Sequence, residues 1–165
     1  MKEAYFAGGC FWCITPVFAE HDGVKSVTAG YSGGEEENPS YEAVKSQSTR
    51  HRETIRIDYD EKLVSFEELL RIFLQNVDPF DGGGQFIDRG RSYTLAVYYT
   101  EEEELLCAEE LLHALEAVSG KQVCVALERF SAFYDAEEYH QNYYLKNPET
   151  FAEEMRSSGR EWKNR

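Results

Sequence analysis

Two cysteines near the amino terminus are the residues in this sequence whose types and spacing are best suited to chemistry. Cys10 and Cys13 lie in the segment GGCFWC, where two glycines come directly before the first thiol. The apolar spacing of residues 10–21 predicts a helix, which places Cys10 where a strand turns into a helix. Unpaired N–H groups and the helix dipole at such a position favour an anion and are expected to lower the pKa of the thiol. The pattern therefore predicts that Cys10 is a nucleophile.

The spacing of the two thiols fits more than one kind of chemistry. One helical turn brings Cys10 and Cys13 within disulfide range after a modest local rearrangement. Such a pair is typical of thioredoxin-like exchange, of half a zinc site, or of an enzyme that reduces a peroxide or a sulfoxide with the help of a second thiol. Zinc needs two further ligands, and Cys107 and Cys124 stand singly in a predicted helix and a predicted strand. We therefore expect redox chemistry with no metal and no bound organic cofactor.

The elements that must position these thiols alternate between short strands and helices. The segment ETIRIDYD alternates in polarity and is the clearest strand, and Ser65 with Glu68 forms a capping box that opens a helix. The glycine-rich stretch 78–91 predicts a long loop, which in a compact domain is more often functional than idle. The predicted strands are 3–8, 24–31, 53–60, 93–99 and 123–130, and the predicted helices are 10–21, 40–47, 65–77 and 101–118.

This order of elements predicts an α+β fold. The expected architecture is a two-layer sandwich with a mixed or antiparallel sheet and a split βαβ, ferredoxin-like core. The 165 residues are near the usual size of one domain, and no linker-like stretch interrupts them. We expect residues 1–165 to form a single catalytic domain, with 131–165 as a helical or irregular C-terminal tail packed on it.

The composition excludes several kinds of partner. With 31 acidic and 17 basic residues, the formal net charge is -14, and such a field repels nucleic acids and anionic membranes. The amino-terminal segment MKEAYFAGGCFW has no apolar signal region, and no run of about 18 apolar residues occurs in the chain. We therefore expect a cytoplasmic, monomeric protein that has neither a nucleic acid nor a membrane as its partner.

Several segments together resemble the A-type peptide methionine sulfoxide reductase family. They occur in family-like order and spacing from about Phe6 to Pro148, and they are GGCFWC, AGYSGG with NPSYEAV, HRETIRIDYD, DRGRSY and AEEYHQNYYLKNP. The resemblance implies reduction of methionine sulfoxide, as the S epimer, to methionine. The implied substrate is the free amino acid or the oxidised residue in peptides and proteins.

The resemblance also assigns roles to residues that would otherwise be ordinary core or surface positions. The implied site residues are the nucleophile Cys10, the methyl-pocket residues Phe11 and Trp12, the general acid Glu53, the hydroxyl donors Tyr31 and Tyr93, and Asp88, which would hold water and the tyrosines in place. For this role Glu53 must be protonated near neutral pH, which burial beside Trp12 would achieve. His140 and Gln141 are interpreted as a polar network under the site. His51 is expected to be exposed, and Arg52 to assist docking of substrate or reductant.

The implied cycle ends with an external reductant. Cys10 becomes a sulfenic acid as methionine leaves, a second thiol condenses with it to a disulfide, and thioredoxin reduces the disulfide. Glutaredoxin or a small thiol is the alternative reductant. Many family members resolve with a cysteine in the C-terminal tail, but the last cysteine here is Cys124. Cys13 is therefore the predicted resolving thiol.

Two other functions stay open on the sequence. A thioredoxin-like thiol-disulfide oxidoreductase would use Cys10 and Cys13 but has no reason to require Glu53. A non-enzymatic binding module would use the acidic, aromatic-rich surface for a basic partner. The chain also departs from the family's usual residues at Val77, at Ser92 and at Thr94–Leu95, which leaves its substrate preference open.

Overall fold

A mixed β-sheet forms the centre of the protein in the computed structural model, which describes residues 1–158. The strands are β1 (Lys2–Gly8), β2 (Val24–Ser32), β3 (Arg52–Tyr59), β4 (Gly84–Gln85), β5 (Asp88–Arg89), β6 (Leu95–Tyr99), β7 (Val125–Arg129) and β8 (Phe133–Asp135). The sheet order is β7-β6-β1-β3-β2-β8, while β4 and β5 form a separate small hairpin. The β6–β7 pair is parallel and β1 is antiparallel to both of its neighbours, so the sheet is mixed.

Helices connect these strands and follow the last of them. They are α1 (Phe11–Ala19), α2 (Tyr41–Lys45), α3 (Phe66–Gln75), α4 (Glu102–Ser119), α5 (Tyr143–Lys146) and α6 (Pro148–Ser158). Two short 3-10 turns lie at Arg91–Tyr93 and Glu138–His140. Within residues 1–158, no helix combines the length and the apolar character needed to cross a membrane.

Helices α1, α3 and α4 share one apolar core with a single face of the sheet. Phe6 of β1 lies at the centre of this core, with ring centroids 6.0 Å from Phe18 and 5.0 Å from Phe73. Each such fully buried phenylalanine contributes about 1.5–3 kcal/mol through the hydrophobic effect. Because side chains alternate along a strand, Tyr5 faces the other side, where it stacks on Phe130 at 4.0 Å. The protein is therefore α+β, with its main helices on one face of a mixed sheet.

The predicted elements are largely present, and the differences lie in the glycine-rich segment and the tail. The N-cap half of the predicted capping box is confirmed, since the Ser65 hydroxyl accepts from the Glu68 N–H at 3.1 Å, whereas the Glu68 carboxylate accepts from the Ser65 hydroxyl at 3.3 Å. The loop predicted at 78–91 contains the β4–β5 hairpin, and the strand predicted from Tyr93 begins at Leu95 because Tyr93 belongs to a 3-10 turn. Strand β8 was not predicted, since three residues are too few to show an alternating pattern.

The C-terminal segment first extends the sheet and then runs beside α1. Strand β8 pairs with β2, with Asp135 opposite Gly30. The Gln141 amide then bonds to both backbone polar groups of Ala29, at 2.8 Å to the N–H and 2.9 Å to the carbonyl. These bonds bring α5 and α6 to the helix that begins after Cys10. Residues 159–165 of the predicted tail lie outside the described residues.

Candidate active site

Cys10 lies at the turn that joins β1 to α1. Gly9 has a φ of 87°, a left-handed conformation that glycine adopts readily, and Cys10 is the residue before the first turn of α1. Cys10 is partly exposed, whereas Cys13, one helical turn later, is buried. The Cys13 N–H donates to the Cys10 carbonyl at 3.1 Å, and the two thiols hydrogen-bond to each other. The two sulfurs therefore lie together at the start of the helix.

The pKa of Cys10 is raised well above its ordinary value, so the predicted lowering is wrong for the free protein. The hydrogen bond with Cys13, burial, and the negative charges of Cys13, Glu53 and Asp88 all disfavour the thiolate. The helix terminus does not compensate, because the Phe11 N–H donates to Oε1 of Glu53 at 3.1 Å rather than to the thiol. Cys10 is therefore a neutral thiol near neutral pH.

Glu53 is a buried carboxyl group that is bonded to the residue after Cys10, and it is not itself among the residues that line the cavity described below. It lies on β3 opposite Tyr31 of β2, and only 1% of its surface is exposed. Burial raises the pKa of Glu53 to about 8, and the charge of Asp88 adds to the shift, while the hydrogen bond from Phe11 opposes it. Near neutral pH this group is mostly protonated and can donate a proton to a developing anion.

A cavity of about 370 Å³ opens beside the two thiols. It is lined by Cys10, Trp12, Cys13, Tyr41, Lys45, Ile87, Asp88, Tyr93, Glu154, Ser157 and Ser158. The structure thus brings together both predicted thiols and three further predicted site residues: Trp12, Asp88 and Tyr93. Its walls combine aromatic and aliphatic surface with hydroxyl and carboxyl groups.

The glycine-rich segment delivers two of these residues. Asp88 lies on β5 of the small hairpin, and Tyr93 ends the 3-10 turn that follows it. The hairpin is tight, since a Cβ at Gly84, whose φ is 148°, would clash with the Asp88 carbonyl. Burial and the nearby charge of Glu53 raise the pKa of Tyr93, so its hydroxyl stays a hydrogen-bond donor throughout the working range.

The structure does not bring both predicted tyrosines to the cavity. Tyr31 is fully buried, its hydroxyl donates to Oε1 of Glu137 at 2.8 Å, and it is not among the lining residues. Tyr41, the first residue of α2, lines the cavity, and its N–H donates to the other Glu137 oxygen at 2.9 Å. The sequence reasoning missed Tyr41, although it is the tyrosine of the NPSYEAV segment.

The two aromatic residues after Cys10 differ in position. Phe11 is buried in the main core, with its ring 5.8 Å from that of Tyr31, and it does not line the cavity. Trp12 forms part of the cavity wall and stacks face to face on Tyr143, with ring centroids 4.0 Å apart and an interplanar angle of 10°. Its indole N–H donates to Nδ1 of His140 at 2.9 Å.

Two expectations for residues next to Glu53 are wrong. His51 is 1% exposed rather than exposed, because its Nδ1 accepts from the Gly34 N–H at 3.2 Å and its Nε2 lies 2.7 Å from the Glu36 carbonyl. Arg52 is also buried, and its guanidinium donates to the Glu128 carboxylate at 2.9 Å. This guanidinium is committed to partners within the protein and is not displayed for docking.

Other lining residues were not predicted from the sequence. Lys45 ends α2, Ile87 lies at the tip of the small hairpin, and Glu154 lies on α6. Burial and the charge of Asp88 raise the pKa of Glu154. Among residues 1–158 there is no group of three or more His, Cys, Asp or Glu side chains that could hold a metal ion.

Known proteins match this chain over almost all of its length. The family model described as peptide methionine sulfoxide reductase matches residues 2–165. The peptide methionine sulfoxide reductase MsrA of Halalkalibacterium halodurans is 43% identical over 164 residues, which are 98% of this chain and 93% of that protein. The MsrA of Bacillus velezensis is 42% identical over 160 residues, which are 96% of this chain and 90% of that protein.

Solved structures agree with the sequence matches. Methionine sulfoxide reductase A of Corynebacterium diphtheriae is 29% identical with a TM-score of 0.80, covering 89% of this chain and 75% of that one. Reduced Mxr1 from Saccharomyces cerevisiae is 28% identical with a TM-score of 0.84, covering 89% of this chain and 86% of that one. Since the likeness extends through both the sequence and the fold, the chain belongs to the peptide methionine sulfoxide reductase family.

Proposed function

We propose that the enzyme reduces the S epimer of methionine sulfoxide to methionine, with Cys10 as nucleophile and Glu53 as general acid. The observation that carries this proposal is the buried Glu53 carboxyl group, which accepts from the N–H of the residue after Cys10 and has a raised pKa. A sulfoxide is a neutral, polarised group that bears a methyl, so its site needs an apolar wall and proton donors. Trp12 provides such a wall, and Tyr41 and Tyr93 provide hydroxyls.

The reduction of the sulfoxide needs no proton from the solvent. The Cys10 sulfur attacks the sulfoxide sulfur, Glu53 gives its proton to the sulfoxide oxygen, and the proton released by Cys10 restores Glu53. The oxygen then passes to the Cys10 sulfur, as the bond between the substrate sulfur and the oxygen and the bond between the substrate sulfur and Cys10 both break. Methionine leaves reduced, and Cys10 is left oxidised as a sulfenic acid. Because the pKa of Cys10 is raised in the free protein, its proton leaves only as the sulfur attacks.

Two tyrosine hydroxyls stabilise the charge that develops on the oxygen. We assign this role to Tyr93 and Tyr41, both of which line the cavity. Tyr41 takes the place for which Tyr31 was expected, and Tyr31 instead helps to hold Glu137, whose carboxylate also binds the Tyr41 N–H. Asp88 lines the same cavity and orients the groups around the oxygen. Such preorganised donors act only where charge develops, so they lower the barrier.

Cys13 is our candidate for the resolving thiol. Its thiol is hydrogen-bonded to that of Cys10 in the reduced protein, which makes it a neighbouring nucleophile for the sulfenic acid. Condensation forms the Cys10–Cys13 disulfide and releases water, and an external dithiol then reduces the disulfide. We propose thioredoxin for that last step. The yeast protein Mxr1, which shares the fold, has been solved in complex with Trx2.

A single set of assays tests these assignments. Resolved S and R methyl sulfoxides, supplied with thioredoxin or dithiothreitol, should show consumption of the S epimer alone, and Cys10→Ser should show no turnover. Turnover by that variant would end the proposal. Mass spectrometry of enzyme treated with substrate and no reductant should find a Cys10–Cys13 bond, while a bond to Cys107 or Cys124 would contradict the role of Cys13. Insulin reduction, measured in parallel, detects a general disulfide exchanger.

The architecture supports a further proposal about domain organisation. Strand β3 lies between β1 and β2, which α1 connects, and β6 lies on the other side of β1. From this order we propose that the core is a split βαβ, ferredoxin-like one and that residues 1–165 form one catalytic domain. The tail 131–165 would form part of the site, since α6 reaches the cavity. The cytoplasmic location and the monomeric state stay predictions.

A further inference from the structure

The Trp12 side chain has a single polar atom, and one protein group binds it. The indole N–H donates to Nδ1 of His140, and the two nitrogens are 2.9 Å apart. The face of the ring is stacked on Tyr143. Stacking holds the plane of an aromatic ring but permits it to slide and rotate within that plane, whereas a directional hydrogen bond removes this freedom. The position of this cavity wall therefore depends on the acceptor at His140.

His140 makes no other hydrogen bond with its ring inside the described chain. The side chain is 2% exposed, and its Nε2 has no hydrogen-bond partner among residues 1–158. Since Nδ1 accepts, the neutral ring carries its proton on Nε2. Burial lowers the pKa of His140 to about 4, although the charge of Glu137 opposes this shift. The ring is therefore neutral, and hence an acceptor, throughout the working range.

Packing and the backbone fix the imidazole in turn. Its ring centroid is 4.3 Å from that of Tyr41, 5.0 Å from that of Phe11 and 4.0 Å from that of Tyr139. The His140 N–H donates to the Glu137 carbonyl at 3.0 Å, within the short 3-10 turn of the tail. A residue held in this way can impose its own position on the indole.

We propose that His140 is a positioning residue, whose Nδ1 holds the Trp12 ring as the wall against which the methyl group of the sulfoxide packs. The proposal rests on the function proposed above. If the acceptor were lost, the indole N–H would be left without a partner or would turn to find one, and the wall would move. Small misplacements of binding groups are costly even when the reacting groups are intact.

Two substitutions of His140 distinguish the loss of its hydrogen-bond acceptor from a change in its side-chain volume. In His140→Asn the amide oxygen takes about the place of Nδ1, so the indole N–H keeps its acceptor. In His140→Leu the volume stays similar and the acceptor is lost. We expect His140→Leu to raise the KM for a small S methyl sulfoxide about tenfold, with a smaller change in kcat, and His140→Asn to stay within about threefold of the wild type. A purely structural defect would lower the folded fraction, and thus the apparent kcat, at an unchanged KM.

Tryptophan fluorescence detects a displacement of the Trp12 indole without any need for turnover. In a Trp162→Phe background Trp12 is the one remaining tryptophan, and acrylamide quenching of its emission should increase in His140→Leu but not in His140→Asn. Tyr139→Phe keeps the ring that packs on His140 and removes only the hydroxyl of an exposed side chain, so it serves as the control, with KM and quenching unchanged. If His140→Leu does not fold, His140→Gln, whose amide lies nearer the Nε2 position, is the second variant without an acceptor at Nδ1.

The outcomes separate this proposal from the one on which it rests. Unchanged KM and unchanged quenching in a folded variant without the acceptor would overturn the role of His140, as would an asparagine variant that is as defective as the leucine variant. A wild-type enzyme that fails to reduce the sulfoxide would instead overturn the proposed function. The quenching comparison keeps its meaning in that case, because it needs no substrate.

Discussion

The protonated state of Glu53 can be measured through the pH dependence of protein stability. Burial raises the pKa of this carboxyl group from 4.5 to about 8. Between these values the folded protein binds a proton that the unfolded chain has released, so stability falls as the pH rises. The slope is about 1.4 kcal/mol per pH unit, which gives a loss of about 3 kcal/mol from about pH 5.5 to about pH 7.5. Below about pH 4.5 the carboxyl group is protonated in both states, so the stability is at its full value and no longer changes with pH.

Replacement of Glu53 by Gln removes the titration and keeps a similar shape. We expect urea unfolding of the wild type to show this loss across the window and Glu53→Gln to lack it. Other groups affect both proteins alike. Cys10 stays protonated in this range, because its pKa is raised well above 9.0. The pKa of His140 is lowered by burial, so this residue makes stability increase with pH by the same amount in the wild type and in Glu53→Gln. The difference between the two slopes therefore isolates Glu53.

Activity gives an independent measure of the same group. The kcat/KM of the wild type should fall about tenfold per pH unit above about pH 8, as Glu53 ionises and can no longer donate a proton. Glu53→Gln should have low activity without this descending limb. Equal stability slopes in the two proteins would mean that Glu53 is ionised in the folded state, and the argument for it as general acid would then fail.

Three further predictions concern the cavity and the tail. Tyr41→Phe should lower kcat about a hundredfold, whereas Tyr31→Phe should leave kcat nearly unchanged and cost about 2 kcal/mol of stability in urea unfolding, because its hydroxyl donates to a carboxylate; the opposite ranking would return the donor role to Tyr31. Cys13→Ser should release one methionine per enzyme and then stop with Cys10 as a sulfenic acid that a dimedone adduct detects, and sustained turnover with thioredoxin would refute Cys13 as the resolving thiol. Glu137→Gln should lower the free energy of unfolding by about 1–2 kcal/mol and also reduce kcat, because two hydrogen bonds to a charged carboxylate are weakened; an unaltered midpoint in a thermal scan would count against this.

Features that depend on neighbours along the chain were available from the sequence. Two glycines before a helical pattern placed Cys10 at a strand-to-helix turn, and the Ser65 capping box marked the start of α3. The strict alternation of 53–60 identified the strand that carries Glu53, whose observed bounds are Arg52–Tyr59. Such patterns can be found in the sequence because the spacing of apolar residues, the helix caps and the turns each depend on only a few neighbouring residues.

Features that depend on partners far along the chain were decided by the tertiary structure. The sequence pointed to Tyr31 and not to Tyr41, but Glu137, about a hundred residues away, binds the Tyr31 hydroxyl while Tyr41 lines the cavity. The largest cause of the raised pKa of Cys10 is the hydrogen bond with Cys13, which is local, but burial and the charges of Glu53 and Asp88 add to it and come from the tertiary structure. A charged or polar group can be buried only where folding supplies its partner, and the spacing of residues in the chain does not reveal which partner that is.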